Sequence, residues 1–202
     1  MEDDFKKILQ GYKAFRNKYV DADPSIMHSL HRNGQQPKIM VIACCDARVD
    51  PALILQCDPG DLFVVRNVAN IVPPYEQDKG HHGTSAALEF GICLLDIAHL
   101  IILGHSQCGG IKALLENGDV KQDDFITNWV SLIKTPNFKN HQADDYAKLS
   151  LAQSYENCIT FPWIKARTQT GKLTIHLWFF DIQTGQIYTY TKDTQSYQTL
   201  LV

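Results

Sequence analysis

Phe5, Ile8, Leu9, Tyr12 and Phe15 recur at helical spacing while charged residues fill the opposite side, so the chain opens on a predicted amphipathic helix. The sequence leaves two partners open for that stripe: the chain's own core or a second subunit. Residues 21–37 hold Pro24, Gly34 and Pro37 and read as a loop. Short apolar runs follow at 38–43, 62–66 and 99–104, each of strand type, the second entered through Pro59-Gly60. Between the last two, residues 84–98 read as a largely buried helix, because apolar positions nearly encircle it. Further helices are predicted at 109–117, 123–134 and 142–159, the last ending before Pro162. Residues 173–180 and 186–191 read as a late hairpin joined through Thr184-Gly185. Strands alternating with helices predict an α/β fold: a central, mostly parallel sheet flanked by helices, with an antiparallel edge strand.

The chain has 202 residues, which suits a single domain over 1–202, divided into an N-terminal arm and loop at 1–37 and an α/β core at 38–202. Hydrophobic residues make up 45% and charged residues 20%, enough to bury a core. The formal net charge of -3 and the lack of any basic cluster argue against a nucleic-acid or anionic-membrane partner. No apolar stretch approaches the length of a membrane span, and acids stand at the very start where a signal peptide would be apolar. A cytoplasmic protein is expected. In that compartment six cysteines are not a disulfide framework; they are packing residues or metal ligands.

Two clusters carry chemistry. Cys44-Cys45-Asp46-Ala47-Arg48 follows the first predicted strand, and His105-Ser106-Gln107-Cys108-Gly109-Gly110 follows the third. Ligands of open α/β sheets bind outside the carboxyl ends of the strands, so both clusters can face one pocket. If the chain stays extended past Ala43, Cys44, Asp46 and Arg48 share one face, while Cys45 becomes a small buried residue and Ala47 points away. Cys44, His105 and Cys108 then supply two sulfurs and one nitrogen. That is a three-ligand zinc set with a fourth position free, a catalytic rather than a structural pattern. Singly, each signal has a plainer explanation. His105 could be a hydrogen-bonded histidine at a strand end, and Asp46 with Arg48 a loop ion pair. Cys57, Cys93 and Cys158 read as packing residues. The glycines lack a phosphate-loop signature, and Cys44-Cys45 lacks the Cys-x-x-Cys redox spacing.

Together the motifs resemble those of a β-class carbonic anhydrase. The resemblance rests on Cys44-Cys45-Asp46-Ala47-Arg48-Val49, on the run from Pro59 to Asn70, and on Gly104-His105-Ser106-Gln107-Cys108-Gly109-Gly110. It extends more loosely through Phe161-Pro162-Trp163 and the run from His176 to Asp181. It implies reversible hydration of carbon dioxide to bicarbonate and a proton, by attack of zinc-bound hydroxide, with one Zn2+ per subunit on Cys44, His105 and Cys108. Asp46 and Arg48 would be the family's polar dyad. It also implies a homodimer or a dimer-of-dimers tetramer in which the N-terminal helix packs on the partner subunit. Val72-Pro73-Pro74-Tyr75 and the run from His82 to Glu89 point to the plant-like branch. That branch's pocket positions fall on Gln35, Phe63, Val68, Phe90 and the Gly109 amide.

The chain departs from the pattern at three places. Ala47 replaces the usual Ser, and Phe90 replaces a Tyr. Val41 stands where members inhibited by a second, non-catalytic bicarbonate carry Trp, although their Arg is matched by Arg66. The expectation is weak or absent inhibition of that kind. His81 and His82 are candidate proton shuttles in a surface loop. The competing functions are a CS2 or COS hydrolase on the same scaffold, a non-catalytic zinc protein and a redox dithiol protein.

Overall fold

A computed structural model of the chain describes residues 2–78, 80–116, 124–135 and 142–201. Six strands form one sheet: β1 (Ile39–Cys44), β2 (Leu62–Asn67), β3 (His99–His105), β4 (Thr174–Phe180), β5 (Ile187–Thr191) and β6 (Ser196–Thr199). Their order is β2-β1-β3-β4-β5-β6. The first four run parallel, and β5 and β6 are antiparallel. The two central strands, β1 and β3, are nearly continuous apolar runs because both of their faces are covered. On one face Met40, Ile42, Leu100 and Ile102 join a large buried cluster with Leu88, Ile92, Leu151 and Ile164. On the other, Val41, Ala43, Ile101 and Leu103 pack with Ile39, Leu62, Trp178 and Phe180.

The helices are α1 (Glu2–Tyr19), α2 (Ile26–Asn33), α3 (Pro51–Ile54), α4 (Gly83–Glu89), α5 (Gly109–Leu115), α6 (Phe125–Val130), α7 (Ala143–Thr160) and α8 (Pro162–Gln169). The expected strands, the first helix and the long helix before Pro162 stand where the hydrophobic pattern puts them. The C-terminal end of the expected helix 109–117 and the start of 123–134 lie outside the described residues.

Three expectations need correction. The stretch read as a loop at 21–37 contains α2. Ser25 caps it by accepting from the His28 N–H at 3.1 Å, and Gly34 ends it at φ 71. Pro24 and Gly34, which signal a loop, bound this helix rather than interrupt it, and its apolar Met27 and Leu30 are partly buried. The helix expected at 84–98 is shorter and less buried. Regular α4 gives way to one wide turn over Phe90–Leu94, which closes at Asp96 with φ 55. Of residues 84–98 only Leu88, Gly91, Ile92 and Ile97 are buried, while Leu94 is 71% exposed. A Cβ on Gly91 would stand 3.0 Å from Met40 Sδ and 3.3 Å from Phe63 Cδ1, so a side chain there would crowd the packing of the turn on the sheet. Finally, the hairpin has a third strand, β6, which its polar residues did not announce.

α1 projects from the body. Phe5, Ile8, Leu9 and Tyr12 are all more than half exposed, and the helix is tied down at its end, where the Tyr19 hydroxyl donates to Asp58 at 2.6 Å. Its stripe therefore does not pack on the subunit's own core.

Candidate metal centre

The parallel ladder brings the two sequence clusters together. β1 and β3 are hydrogen-bonded neighbours, so their carboxyl ends deliver Cys44 and His105 side by side, and Cys108 follows one turn later at the start of α5. The ligand atoms of Cys44, His105 and Cys108 all lie within 4.8 Å of one another, and all three residues are buried. The two sulfurs are 3.9 Å apart.

The histidine is oriented for a metal. Its Nδ1 donates to the carbonyl oxygen of Ser106 at 2.9 Å, which leaves the lone pair on Nε2. Nε2 is buried and has no hydrogen-bond partner. An orphaned acceptor at a site with two thiols is costly for a protein alone and is satisfied by a cation. Cys44 is prepared in the same sense. The Cys108 thiol hydrogen-bonds to Cys44 and draws the Cys44 thiol below its ordinary range, helped by backbone N–H groups of Asp46 and Ala69. The hydrogen bond to Cys44 and burial push the Cys108 thiol up, and backbone N–H groups of Ile111 and Gly110 act against that rise. These donors favour thiolate, the form that binds metal. Gly110 is needed for the close approach: a Cβ there would meet Val68 Cγ1 at 2.7 Å and Ala69 Cβ at 3.0 Å.

Asp46 and Arg48 form a two-pronged pair at the edge of the site. Arg48 Nε donates to Asp46 Oδ1 at 2.9 Å and Nη2 to Oδ2 at 2.6 Å. The side-chain bonds from Arg48 hold the Asp46 carboxyl well below the usual carboxylate range. Extended alternation is not the reason the two residues meet. The chain turns at Asp46, whose Oδ1 accepts from the Arg48 N–H at 3.0 Å and whose carbonyl accepts from Val49 N. The same turn leaves Cys45 exposed, correcting the expectation that it is buried; Ala47 is exposed, as expected. Of the three cysteines read as packing residues, Cys158 is buried, Cys57 partly so, and Cys93 is exposed.

Several residues outside the Cys–His–Cys set also build the site. Arg66 on β2 donates to the carbonyls of Cys44 at 2.9 Å and Asp46 at 2.7 Å and pairs with Asp50 at 2.8 Å. Trp129 on α6 donates to the Val68 carbonyl at 2.7 Å. Asp144 on α7 accepts from the Gln107 N–H at 2.9 Å. Ser106 accepts from Ile182 N at 2.9 Å and donates to Asp181 at 3.3 Å. Arg66 and Ser106 lie within the motif runs, whereas Trp129 and Asp144 carry no sequence signal, because each acts on a main-chain group brought near by the fold.

The expected pocket positions are unevenly placed. Phe63 and Phe90 stack with ring centroids 5.9 Å apart. Val68 adjoins Gly110 beside the ligands and is 37% exposed, and Gly109 faces open space. Gln35 is exposed on the segment between α2 and β1, and no described contact links it to the ligands.

A family model described as carbonic anhydrase matches residues 39–187. A carbonic anhydrase of Synechococcus elongatus is 31% identical over 193 residues, covering 90% of this chain and 70% of that protein. The chloroplastic beta carbonic anhydrase 5 of Arabidopsis thaliana is 39% identical over 188 residues, covering 86% of this chain and 60% of that protein. Among solved structures, the β-carbonic anhydrase CcaA superposes with a TM-score of 0.86 at 29% identity, over 99% of this chain and 93% of that one. A tetrameric β-carbonic anhydrase of Sordaria macrospora gives 0.73 at 26% identity, over 93% and 96%. On these comparisons the chain belongs to the β-class carbonic anhydrases, the enzymes of carbon dioxide hydration.

Proposed function

We propose that this chain interconverts carbon dioxide and bicarbonate on one Zn2+ per subunit, held by Cys44 Sγ, His105 Nε2 and Cys108 Sγ. The observation that carries this reading is the buried, partnerless His105 Nε2 within 4.8 Å of two sulfurs. Zinc bound there would supply a hydroxide nucleophile at a usable pH. The residues of the chain do the rest. Arg48 keeps Asp46 ionised and drawn toward itself, so the carboxylate serves as a hydrogen-bond acceptor that aims the attacking oxygen and stays off the metal. Phe63, Phe90 and Val68 offer an apolar wall that suits a neutral substrate, and the Gly109 amide offers a donor to a developing bicarbonate oxygen.

Gln35 completes the pocket in an assembled enzyme, a homodimer or a dimer-of-dimers tetramer. The exposed apolar stripe of α1, the exposure of Phe90 and Leu94, and the likeness to a tetrameric relative support that assembly. Six free cysteines suit a reducing compartment such as the cytoplasm, and among the described residues no helix is long and apolar enough to cross a membrane.

Stopped-flow carbon dioxide hydration on metal-quantified protein tests the reading. The expected result is turnover proportional to zinc content. A reduced, zinc-loaded protein that does not accelerate hydration would overturn it.

A further inference from the structure

Gln107 sits between the metal ligands His105 and Cys108 with φ at 55°, a left-handed backbone that a non-glycine residue holds only when its surroundings impose it. Both of its main-chain groups are used. Its N–H donates to Asp144 Oδ1 at 2.9 Å, and its carbonyl accepts from Arg48 Nη2 at 3.2 Å. The same Nη2 holds Asp46 Oδ2 at 2.6 Å. An unbroken chain of hydrogen bonds thus runs from α7 through the Gln107 backbone to the Asp46–Arg48 pair.

Asp144 is not occupied in capping its own helix. That task falls to Gln142 and Asp145, which form a reciprocal capping box, Asp145 accepting from Gln142 N at 3.1 Å. The Asp144 carboxylate is turned instead toward a loop distant in sequence. Without that acceptor, the Gln107 peptide would lose the bond that fixes its left-handed conformation, and its carbonyl would no longer face Arg48.

We propose that Asp144 is a positioning residue for carbon dioxide hydration, setting the orientation of Arg48, and through it Asp46, by anchoring the main chain of Gln107. This rests on the proposed function. It assigns a role to α7, an element that contributes no ligand to the centre.

The test uses the full-length, zinc-loaded protein and its Asp144→Ala, Asp144→Asn, Arg48→Ala and Asp144→Ala/Arg48→Ala variants. Asn keeps an oxygen acceptor for Gln107 N while removing the charge. Asp144→Ala is expected to lower kcat about ten-fold with KM and zinc content unchanged, a loss in keeping with a misplaced group that does not itself meet substrate. The Arg48 Nε–H group, followed by 15N NMR and assigned through Arg48→Lys, is expected to become mobile in Asp144→Ala and rigid again in Asp144→Asn. On the Arg48→Ala background, Asp144→Ala should cost nothing further. If Asp144→Ala fails to fold, Asp144→Ser takes its place: it keeps a residue suited to a helix start but is too short to reach Gln107, and the same losses are expected. An unchanged kcat and Arg48 signal in Asp144→Ala or Asp144→Ser, an Asn variant that behaves like Ala, or an equal loss on the Arg48→Ala background would overturn the proposal. A wild-type protein inactive on carbon dioxide would refute the proposed function instead, while the Arg48 NMR signal would still decide on Asp144.

Discussion

Arg66 Nε donates to the carbonyl oxygen of Cys44 at 2.9 Å, so a cation on one strand fixes the last residue of its neighbour, which is also a proposed metal ligand. The same guanidinium reaches Asp46 O and Asp50 Oδ2, tying three points of the loop that leaves β1. Hydrogen bonds from a charged donor contribute about 1.5–3 kcal/mol each and are not additive. Arg66→Ala should therefore destabilise the subunit by about 2–4 kcal/mol, read as a lower midpoint in chemical denaturation, and lower zinc retention against a chelator. Arg66→Lys should recover only part of either loss, because an ammonium cannot reproduce the fork. Unchanged stability in Arg66→Ala would show that the loop is held by other means.

The ligand assignment predicts a sharp loss of metal. Cys44→Ser or His105→Ala should reduce stoichiometric zinc to trace levels in protein purified without added metal, measured by atomic emission. Cys45→Ser, one residue away but outside the ligand set, should keep its zinc.

The Asp46–Arg48 pair sets a pH expectation. Arg48 lowers the Asp46 pKa in the folded protein, so Asp46 contributes stability above its unfolded value near 4 and loses it as pH falls through the lower folded value. Across pH 6–9 Asp46 does not titrate. A rise in kcat toward alkaline pH then belongs to the metal centre, where two thiolates offset the formal charge of the ion and make a weaker Lewis acid than three neutral imidazoles. The midpoint should lie above the value of roughly 7 typical of three-histidine zinc. Arg48→Ala should reduce kcat by about ten- to a hundred-fold with zinc content intact. Stopped-flow profiles of both proteins provide the check, and a flat wild-type profile over this range would contradict the argument.

The α1 stripe predicts the assembly. Ile8→Glu together with Tyr12→Glu places two charges where apolar groups otherwise leave water, and Ile8 and Tyr12 are 67% and 59% exposed in the single subunit. Light scattering should show the wild type as a dimer or tetramer and the variant shifted toward the 22.9 kDa monomer. A wild type already monomeric would remove the assembly from the proposed function.

What the sequence by itself determined is which residues can meet in one place. Cys44, His105 and Cys108 were legible because thiol and imidazole at the ends of buried apolar runs have few other uses together, and because such runs, alternating with helices, place their ends at one edge of a parallel sheet. Local rules failed where a turn or a neighbouring element intervened. Cys45 was assigned to the interior on the assumption that the strand continues, but the side chain of Asp46 folds the chain back on itself. Pro24, Gly34 and Pro37 signal a loop, yet Pro24 and Gly34 only bound α2, whose Ile26, Met27 and Leu30 are too few to outweigh those signals. Tertiary structure alone decided what holds the ligands in place. Arg66, Trp129 and Asp144 act on carbonyl and amide groups of distant segments, and a main-chain group has the same chemistry whatever residue carries it, so no sequence pattern records the pairing.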